Sequence, residues 1–336
     1  MSAGGAPVIL LYHQVGTAHD DPFNQFVGTE HFAGHMAVLA RRRPQRLVDL
    51  ASDVRNRTLT SGAVAVTFDD GYLSNLRLAK PVLEREGVPA TVFVTTGATG
   101  AARDFWWNEL HRALARAPAS GPALRLAAGG RMREWTLPQG DRSGLLFELW
   151  AWIRARGPGH IGSLMASVAS WAGVEAGGPP PDDQRCMSVE ELKVLEEGEI
   201  IDVGAHTRTH PMLSACSPAE LRDEIAGSRA DLEEWLGRPV TTFAYPFGLR
   251  VVEYRAAAVR AVRAAGFEAA VAVDPRPVSA RSPIFELPRY AVPDLAPDAF
   301  ERWLAERMDG PSPPRRPIDR RVVLALRERR PVRDRL

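Results

Sequence analysis

The chain has 336 residues, of which 45% are hydrophobic and 25% are charged, and its formal net charge is +1. This composition is typical of a soluble globular protein, and the near-neutral charge does not indicate a nucleic-acid partner. Two cysteines cannot form a disulfide framework, and no segment approaches the roughly 20 apolar residues of a membrane span. The first residues lack the basic segment of a signal peptide, so the sequence predicts a cytoplasmic protein.

Short apolar segments alternate with helical patterns along most of the chain. The predicted strands are Val8–Leu11, Ala63–Phe68, Thr91–Val94, Ile200–Gly204, Thr241–Ala244 and Glu268–Val273. Between them, Ser188 and Ser217 each begin a capping box at the start of a helix, and Gly87 and Gly237 each end one. Alternation of strands and helices predicts a mostly parallel sheet or barrel.

Two adjacent carboxylates follow the second predicted strand, in the segment Thr67-Phe68-Asp69-Asp70-Gly71-Tyr72. Neighbouring like charges are unfavourable unless another group offsets them. A divalent metal can do so by binding one carboxylate, while the other carboxylate remains able to move protons. The alternative is an ordinary Asp-Asp-Gly turn between a strand and a helix.

Two histidines, His206 and His210, follow a later apolar strand and are four residues apart. On a helical turn this spacing brings both imidazoles to one side, where two nitrogens can reach one ion. Either histidine alone would be interpreted as structural. Together with Asp70 they form a set of three ligands that leaves positions open for water and substrate, as catalytic zinc requires.

Three segments in chain order resemble the first three motifs of the polysaccharide deacetylase family, which is carbohydrate esterase family 4 or the NodB-homology domain. They are Thr67–Tyr72, His206–His210 and Phe243–Gly248, and the resemblance covers about residues 6–100 and 186–295. It implies a distorted (β/α)7-type barrel of the NodB kind, in a catalytic domain at residues 6–310. The motif residues all follow strands, which agrees with the catalytic face of such a barrel.

The resemblance implies roles for the charged motif residues. Asp70, His206 and His210 would hold a divalent metal, and zinc is the first expectation because it is the commonest hydrolytic choice for such ligands. Asp69 would be the general base that takes a proton from the attacking water.

The resemblance also implies roles for uncharged groups. The backbone N–H of Tyr245 would stabilise the oxyanion, and the hydroxyl of Thr207 would fix a ligand or the turn by a hydrogen bond. The further residues expected to bind substrate near the motifs are Tyr72, Pro246 and Phe247.

The general acid departs from the usual family pattern. Most relatives supply it from a Leu-x-His motif near the C-terminus, but His210 is the last histidine of this chain. Leu11-Tyr12-His13 offers that pattern at the N-terminus, as in a permuted branch of the family. His13 is therefore predicted to be the acid, and Leu11 to line the pocket for the acetyl methyl group. The alternative is a histidine that only ends the first strand.

A second departure concerns an arginine. Many relatives have arginine where this chain has Ala244, and that guanidinium holds the catalytic aspartate ionised and oriented. Arg289 is the predicted replacement, because a planar and permanently charged fork suits a carboxylate. A surface ion pair is the alternative.

Two segments lie outside the resemblance. Residues 101–185 hold six of the eight tryptophans and are predicted to form a helical insertion that serves as a lid or substrate wall, with Trp106 and Trp107 contacting sugar. The alternative is that the tryptophans form the core of the insertion. Residues 311–336 form a basic tail, in which Ile318–Arg327 could contact an anionic membrane as an amphipathic helix; a frayed tail or a docked helix is the alternative.

The sequence therefore predicts a metal-dependent hydrolase that removes N-acetyl groups from an amino-sugar glycan or glycoside. One alternative is the same chemistry on a non-sugar amide or an O-acetyl ester, since the motifs specify acyl transfer and not the leaving group. Another is a non-catalytic glycan-binding relative. The presence of both Asp69 and Asp70 argues against it, because a binding protein needs no base.

Overall fold

The computed structural model describes residues 5–17, 20–100, 104–118, 121–137 and 142–310. These residues form two compact units, residues 5–100 with 180–310 and residues 104–179. The basic segment Ile318–Arg327 lies outside the described residues.

Seven parallel strands form a closed barrel in the first unit. They are β1 Val8–Tyr12, β2 Ala63–Phe68, β3 Ala90–Val94, β4 Ile201–Ala205, β5 Thr242–Ala244, β6 Ala269–Val273 and β7 Leu287–Ala291. Their order is β1-β7-β6-β5-β4-β3-β2, and pairing between β1 and β2 closes the ring. This confirms the predicted barrel. Only β7 is absent from the predicted strands, because Pro288 and Arg289 interrupt its apolar pattern.

Helices connect the barrel strands, and a further helix follows the last strand. They are Thr29–Ala40, Leu47–Asn56, Lys80–Glu86, Val189–Glu196, Pro218–Arg222, Ser228–Leu236, Ala256–Ala264 and Pro297–Asp309. Both predicted capping boxes form at Ser188 and Ser217, and Gly87 and Gly237 end their helices in the left-handed conformation. None of the helices in the described part of the chain has the length and apolar content that crossing a lipid bilayer requires.

Side-chain alternation along the strands determines which residues reach the site. Ile9, Ala65 and Leu287 belong to one buried cluster, whereas their neighbours Val8, Leu10 and Val64 pack in another. Alternate residues of a strand lie on the same face. Leu11 and His13 therefore share a face with Ile9, and Thr67 and Asp69 share one with Ala65. Arg289 likewise lies on the same face as Leu287. Polar side chains thus follow the apolar ones on this face toward the carboxyl ends of the strands, the catalytic face of such barrels.

The described residues of the second unit form three helices and a hairpin. The helices are Trp106–Arg116, Arg142–Arg154 and Pro158–Ala172, and the antiparallel strands are Leu124–Ala128 and Arg131–Trp135. The hairpin is an element that the prediction of a helical insertion does not include. Gly129 and Gly130 connect its strands with φ values of 59° and 71°, which a two-residue hairpin turn favours.

A buried histidine makes the stability of the fold sensitive to acid. The His35 side chain is fully buried, with Nε2 2.7 Å from the Leu295 carbonyl and Nδ1 3.3 Å from the Tyr12 hydroxyl. Burial lowers its pKa from 6.5 to about 4, against the hydrogen bond to Leu295, which raises it. The unfolded chain therefore binds the proton first, and stability is lost as the pH falls from 6.5 toward 4.

We expect this histidine to contribute up to about 3 kcal/mol of acid destabilisation. Thermal melts of chelator-treated protein at pH 7 and pH 5 should show a smaller drop in Tm for His35→Gln than for the wild type, because glutamine is not ionisable and can replace both hydrogen bonds. Equal drops in the two proteins would contradict the assignment.

Candidate active site

The two aspartates of the first motif lie where β2 ends. The Asp69 N–H donates to the Tyr12 carbonyl at 3.0 Å, which continues the β1–β2 pairing by one residue. Asp70 and Gly71 both have positive φ, 76° and 82°, so the chain turns sharply after Asp69. A left-handed conformation is unusual for aspartate and is often found at functional sites.

Three buried side chains form a group that could hold a metal ion. Asp70 Oδ1 lies 3.6 Å from His206 Nε2 and 3.5 Å from His210 Nε2, and one ligand atom of each residue lies within 4.8 Å of the other two. Asp70 Oδ1 is buried and has no hydrogen-bond partner among the described residues. Buried polar atoms are normally paired, so this oxygen fits a bound cation.

The charge states of these side chains also suit a cation. Burial, and then the neighbouring Asp69 carboxylate, raise the pKa of Asp70 well above 3.8, so its ionised form is unfavourable unless a positive charge such as a cation lies beside it. Burial lowers the pKa of His206 and of His210, so both imidazoles are neutral, as metal ligands must be. His206 Nδ1 lies 2.8 Å from the Ala244 carbonyl, which can only accept, so Nδ1 carries the proton and Nε2 presents its lone pair.

The two histidines lie on a loop and not on the helical turn that their spacing suggests. Thr207 and His210 have φ values of 66° and 53°. The Thr207 hydroxyl accepts a hydrogen bond from the His210 N–H at 3.1 Å, and the two imidazole centroids are 4.8 Å apart. The left-handed residues bring the rings together, and Thr207 stabilises that turn.

Arg289 forms a bidentate ion pair with Asp69 through its two terminal guanidinium nitrogens. Nη1 lies 2.7 Å from Oδ1 and Nη2 lies 2.8 Å from Oδ2, and the Arg289 side chain is fully buried. Burial, the largest single effect, would raise the pKa of Asp69, but the charge and hydrogen bonds of Arg289 together with smaller contributions from neighbouring side chains outweigh it, and the pKa is lowered to about 2. Asp69 is therefore ionised at neutral pH. The surface ion pair considered for Arg289 is wrong, since the pair is buried.

His13 lies beside Asp69 at the mouth of the barrel. Tyr12 pairs with Phe68 across the β1–β2 ladder, so His13 and Asp69 are the next residues on neighbouring strands. Desolvation lowers the pKa of the half-buried His13 to about 4, with the charge of Asp69 opposing the shift. Leu11 is buried two residues earlier on the same strand.

The structure contradicts the role expected of the Tyr245 backbone. Its N–H donates to the Val271 carbonyl at 3.2 Å, because the β5–β6 pairing continues one residue past the end of β5. That amide is therefore already engaged and does not supply an oxyanion contact. The Tyr245 hydroxyl donates to the Phe285 carbonyl at 3.0 Å, so the side chain is also held in the structure.

The proposed substrate contacts differ in their access to solvent. Tyr72 is fully buried, which corrects the expectation that it touches substrate. Pro246 is buried, whereas Phe247 is half-buried and its ring lies 4.6 Å from the His210 ring, so Phe247 is the better placed of the two.

Four tryptophans of the second unit contact other side chains of that unit. Trp107 stacks on Phe105 at 4.4 Å and lies 5.8 Å from Trp106. Arg154 and Arg156 cover the faces of Trp150 and Trp152 at 3.7 Å and 4.3 Å. These contacts favour the alternative in which the tryptophans form the core of the insertion.

The sequence interpretation missed two residues that hold the site loops. Asn75 is fully buried and donates to the His13 carbonyl at 2.8 Å, and the buried Glu224 accepts hydrogen bonds from the loop of His206 and His210. Both residues lie on the buried side of a helix, where apolar residues are expected. A polar residue at such a position is the only signal in the sequence that could have indicated them.

Comparison with known families and structures agrees with this geometry. The profile of the polysaccharide deacetylase family matches residues 56–120 and 175–270. A 95-residue segment is 30% identical to YxkH of Bacillus subtilis (strain 168), which is named as a polysaccharide deacetylase. The matched segment covers 27% of this chain and 33% of that protein. The profile contains Asp69, Asp70, His206 and His210, and it does not reach His13 or Arg289.

Solved structures of other proteins share the fold. The Streptococcus pyogenes deacetylase PplD, solved with acetate, aligns with a TM-score of 0.58 at 16% identity, over 91% of this chain and 99% of that one. IcaB from Ammonifex degensii aligns with a TM-score of 0.58 at 19% identity, over 91% and 98%. The profile match makes residues 56–120 and 175–270, which include the motif residues at the mouth of the barrel, similar to the polysaccharide deacetylase family.

Proposed function

We propose that the protein is a divalent-metal-dependent hydrolase that removes N-acetyl groups from an amino-sugar glycan or glycoside. The observation that carries this proposal is the buried group of Asp70, His206 and His210 next to an ionised Asp69. Similarity to the polysaccharide deacetylase family supports an acetylated carbohydrate as the substrate.

Asp70, His206 and His210 are the residues that would hold the ion, and zinc fits two neutral imidazoles and one carboxylate. A divalent ion supplies Lewis acidity toward the acetyl carbonyl and the attacking water. The remaining steps fall to side chains of the chain itself.

Asp69 is the proposed general base. Arg289 holds both carboxylate oxygens from one side, so the carboxylate plane is fixed and its other lone pairs remain available. Asp69 then accepts a proton from the attacking water. His206 Nε2 lies 3.8 Å from Asp69 Oδ2, which puts the base within reach of the proposed ligands.

His13 is the proposed general acid. The amine of an amino sugar is a poor leaving group until it is protonated, and His13 lies next to Asp69 at the ends of paired strands. A general acid must carry its proton before it acts, and although burial disfavours the protonated form of His13, the charge of the adjacent Asp69 favours it. Asn75 fixes the His13 backbone through its carbonyl.

We expect His13→Ala to keep its metal and to lose about 10²-fold or more in turnover of an N-acetyl sugar. The matched measurement is turnover of an activated acetyl ester, whose leaving group needs no proton and which should be affected much less. Equal losses on the two substrates would return His13 to the role of a histidine that ends the first strand.

A panel of acetyl donors tests the proposed function. Released acetate would be measured with N-acetylglucosamine oligomers, simple N-acetyl amides and O-acetyl sugars as substrates. The proposal predicts the fastest release from the N-acetyl sugars. Faster release from non-sugar amides or O-acetyl esters would identify those compounds as the substrates instead. Binding of oligomers without acetate release would identify a glycan-binding protein.

A further inference from the structure

The loop that carries His206 and His210 is held through its backbone from two sides. On one side, the carbonyls of Thr207 and Arg208 accept hydrogen bonds from the N–H groups of Thr96 and Gly97 at 3.1 Å and 2.8 Å. Gly97 permits this approach, because a Cβ at that position would lie 2.5 Å from the Arg208 carbonyl oxygen.

On the other side, one carboxylate holds the two N–H groups between the histidines. Glu224 Oε2 accepts from the Arg208 N–H at 2.9 Å and from the Thr209 N–H at 2.8 Å, and Oε1 accepts from the Thr209 hydroxyl at 2.5 Å. The Glu224 side chain is only 4% exposed. A buried carboxylate with three donors is a strong and directional anchor.

The Arg208 side chain adds a second attachment to the same helical region. Its guanidinium binds both oxygens of Asp231 at 2.9 Å and 2.6 Å and also reaches Asp223 at 2.7 Å. It packs against Gly227, where a Cβ would lie 2.5 Å from the guanidinium carbon. The loop is therefore attached to residues 223–231 by its backbone and by a side chain.

Glu224 belongs to a π-helical turn, Asp223–Gly227. The other π-helical turn in the described residues, Asn75–Ala79, contains Asn75, which holds the His13 carbonyl. Each turn thus supplies a buried polar side chain to a loop that carries a proposed site residue. Single π-helical turns are frequent at functional sites, since they redirect a side chain without ending the helix.

We propose that Glu224 is a positioning residue for the metal group: by holding the Arg208 and Thr209 amides it fixes the separation of His206 and His210. The inference rests on the proposed function to the extent that these histidines are taken as ligands. Loss of the Glu224 carboxylate should then weaken metal binding beyond any effect on folding.

The test measures the zinc affinity of full-length protein by competition with a chromophoric chelator, together with the Tm of the stripped protein. Glu224→Ala should bind zinc about 10- to 100-fold more weakly, the usual effect of losing a group that orients a ligand. Glu224→Gln keeps an oxygen that can accept from both amides and should recover most of the affinity.

Glu233→Ala is the matched control. Glu233 also accepts a backbone N–H, that of Val240 at 3.0 Å, but it does not hold the ligand loop. This variant should lower Tm and leave the zinc affinity of the protein unchanged. A similar loss of affinity in Glu233→Ala and Glu224→Ala would overturn the inference, because it would show a general effect of weakened folding.

Two further outcomes separate the inference from the proposed function. Unchanged zinc affinity in a folded Glu224→Ala protein would overturn the inference alone, whereas failure of the wild type to bind zinc would overturn the proposed metal group and the inference with it. If Glu224→Ala does not fold, Thr209→Val removes one of the three donors and should weaken zinc binding several-fold; unchanged affinity there would also overturn the inference.

Discussion

His210→Ala protein is expected to lose its bound metal and its deacetylase activity together. His210 Nε2 is one of three ligand atoms that surround the same small space, and its removal leaves two. Because loss of a group that merely orients a ligand already costs 10- to 100-fold in affinity, loss of the ligand itself should cost about 100-fold or more. Metal content after desalting and the rate of acetate release are the two measurements.

The matched control for this prediction is His31→Ala. His31 is partly exposed and pairs with Asp294 at 2.7 Å, outside the metal group. That variant should keep full metal content and activity. Asp70→Ala and His206→Ala should behave like His210→Ala, and full metal occupancy in any of the three would remove that residue from the ligand set.

Asp69→Asn protein is expected to keep its metal while its activity falls by about 10² to 10⁴, which is the usual contribution of a positioned general base. Asparagine has nearly the same shape but cannot accept a proton from water at neutral pH. It also leaves the buried Arg289 without a countercharge, and breaking a buried pair typically costs about 3 to 5 kcal/mol of stability.

The Asp69→Asn measurement therefore needs the Tm of the variant as well as its metal content and rate. A folded protein with full metal and low activity separates the base from the ligands. Loss of metal in a folded Asp69→Asn protein would mean that Asp69 and Asp70 share the ion or have exchanged roles, as their adjacent carboxylates allow.

Much of the barrel could be predicted from local pattern. Ala63–Phe68 is a strand with the predicted bounds, and the capping boxes at Ser188 and Ser217 form as their sequences indicate. The hairpin at Leu124–Ala128 and Arg131–Trp135 is not predictable from local pattern, because its exposed positions carry few strand-favouring residues. Strand β7 is not predictable from local pattern either, because Pro288 and Arg289 interrupt the run of apolar residues that would indicate a buried strand.

The site could be predicted as far as its motifs extend. Residues from opposite ends of the chain come together because β1 pairs with both β2 and β7, so His13 and Arg289 both reach the mouth of the barrel beside Asp69. Long-range backbone contacts could not be predicted. The engaged Tyr245 amide depends on the register of β5 with β6, and the Glu224 contacts depend on a π-helical turn that has no clear sequence signal.

The most direct test of the account is the rate of acetate release from an N-acetylglucosamine oligomer by chelator-stripped protein during titration with zinc. The account predicts no release without metal and a rate that rises with added zinc and saturates at one equivalent per chain, as a single group of Asp70, His206 and His210 requires. Acetate release that does not depend on added metal, or no release from the fully loaded protein, would contradict it.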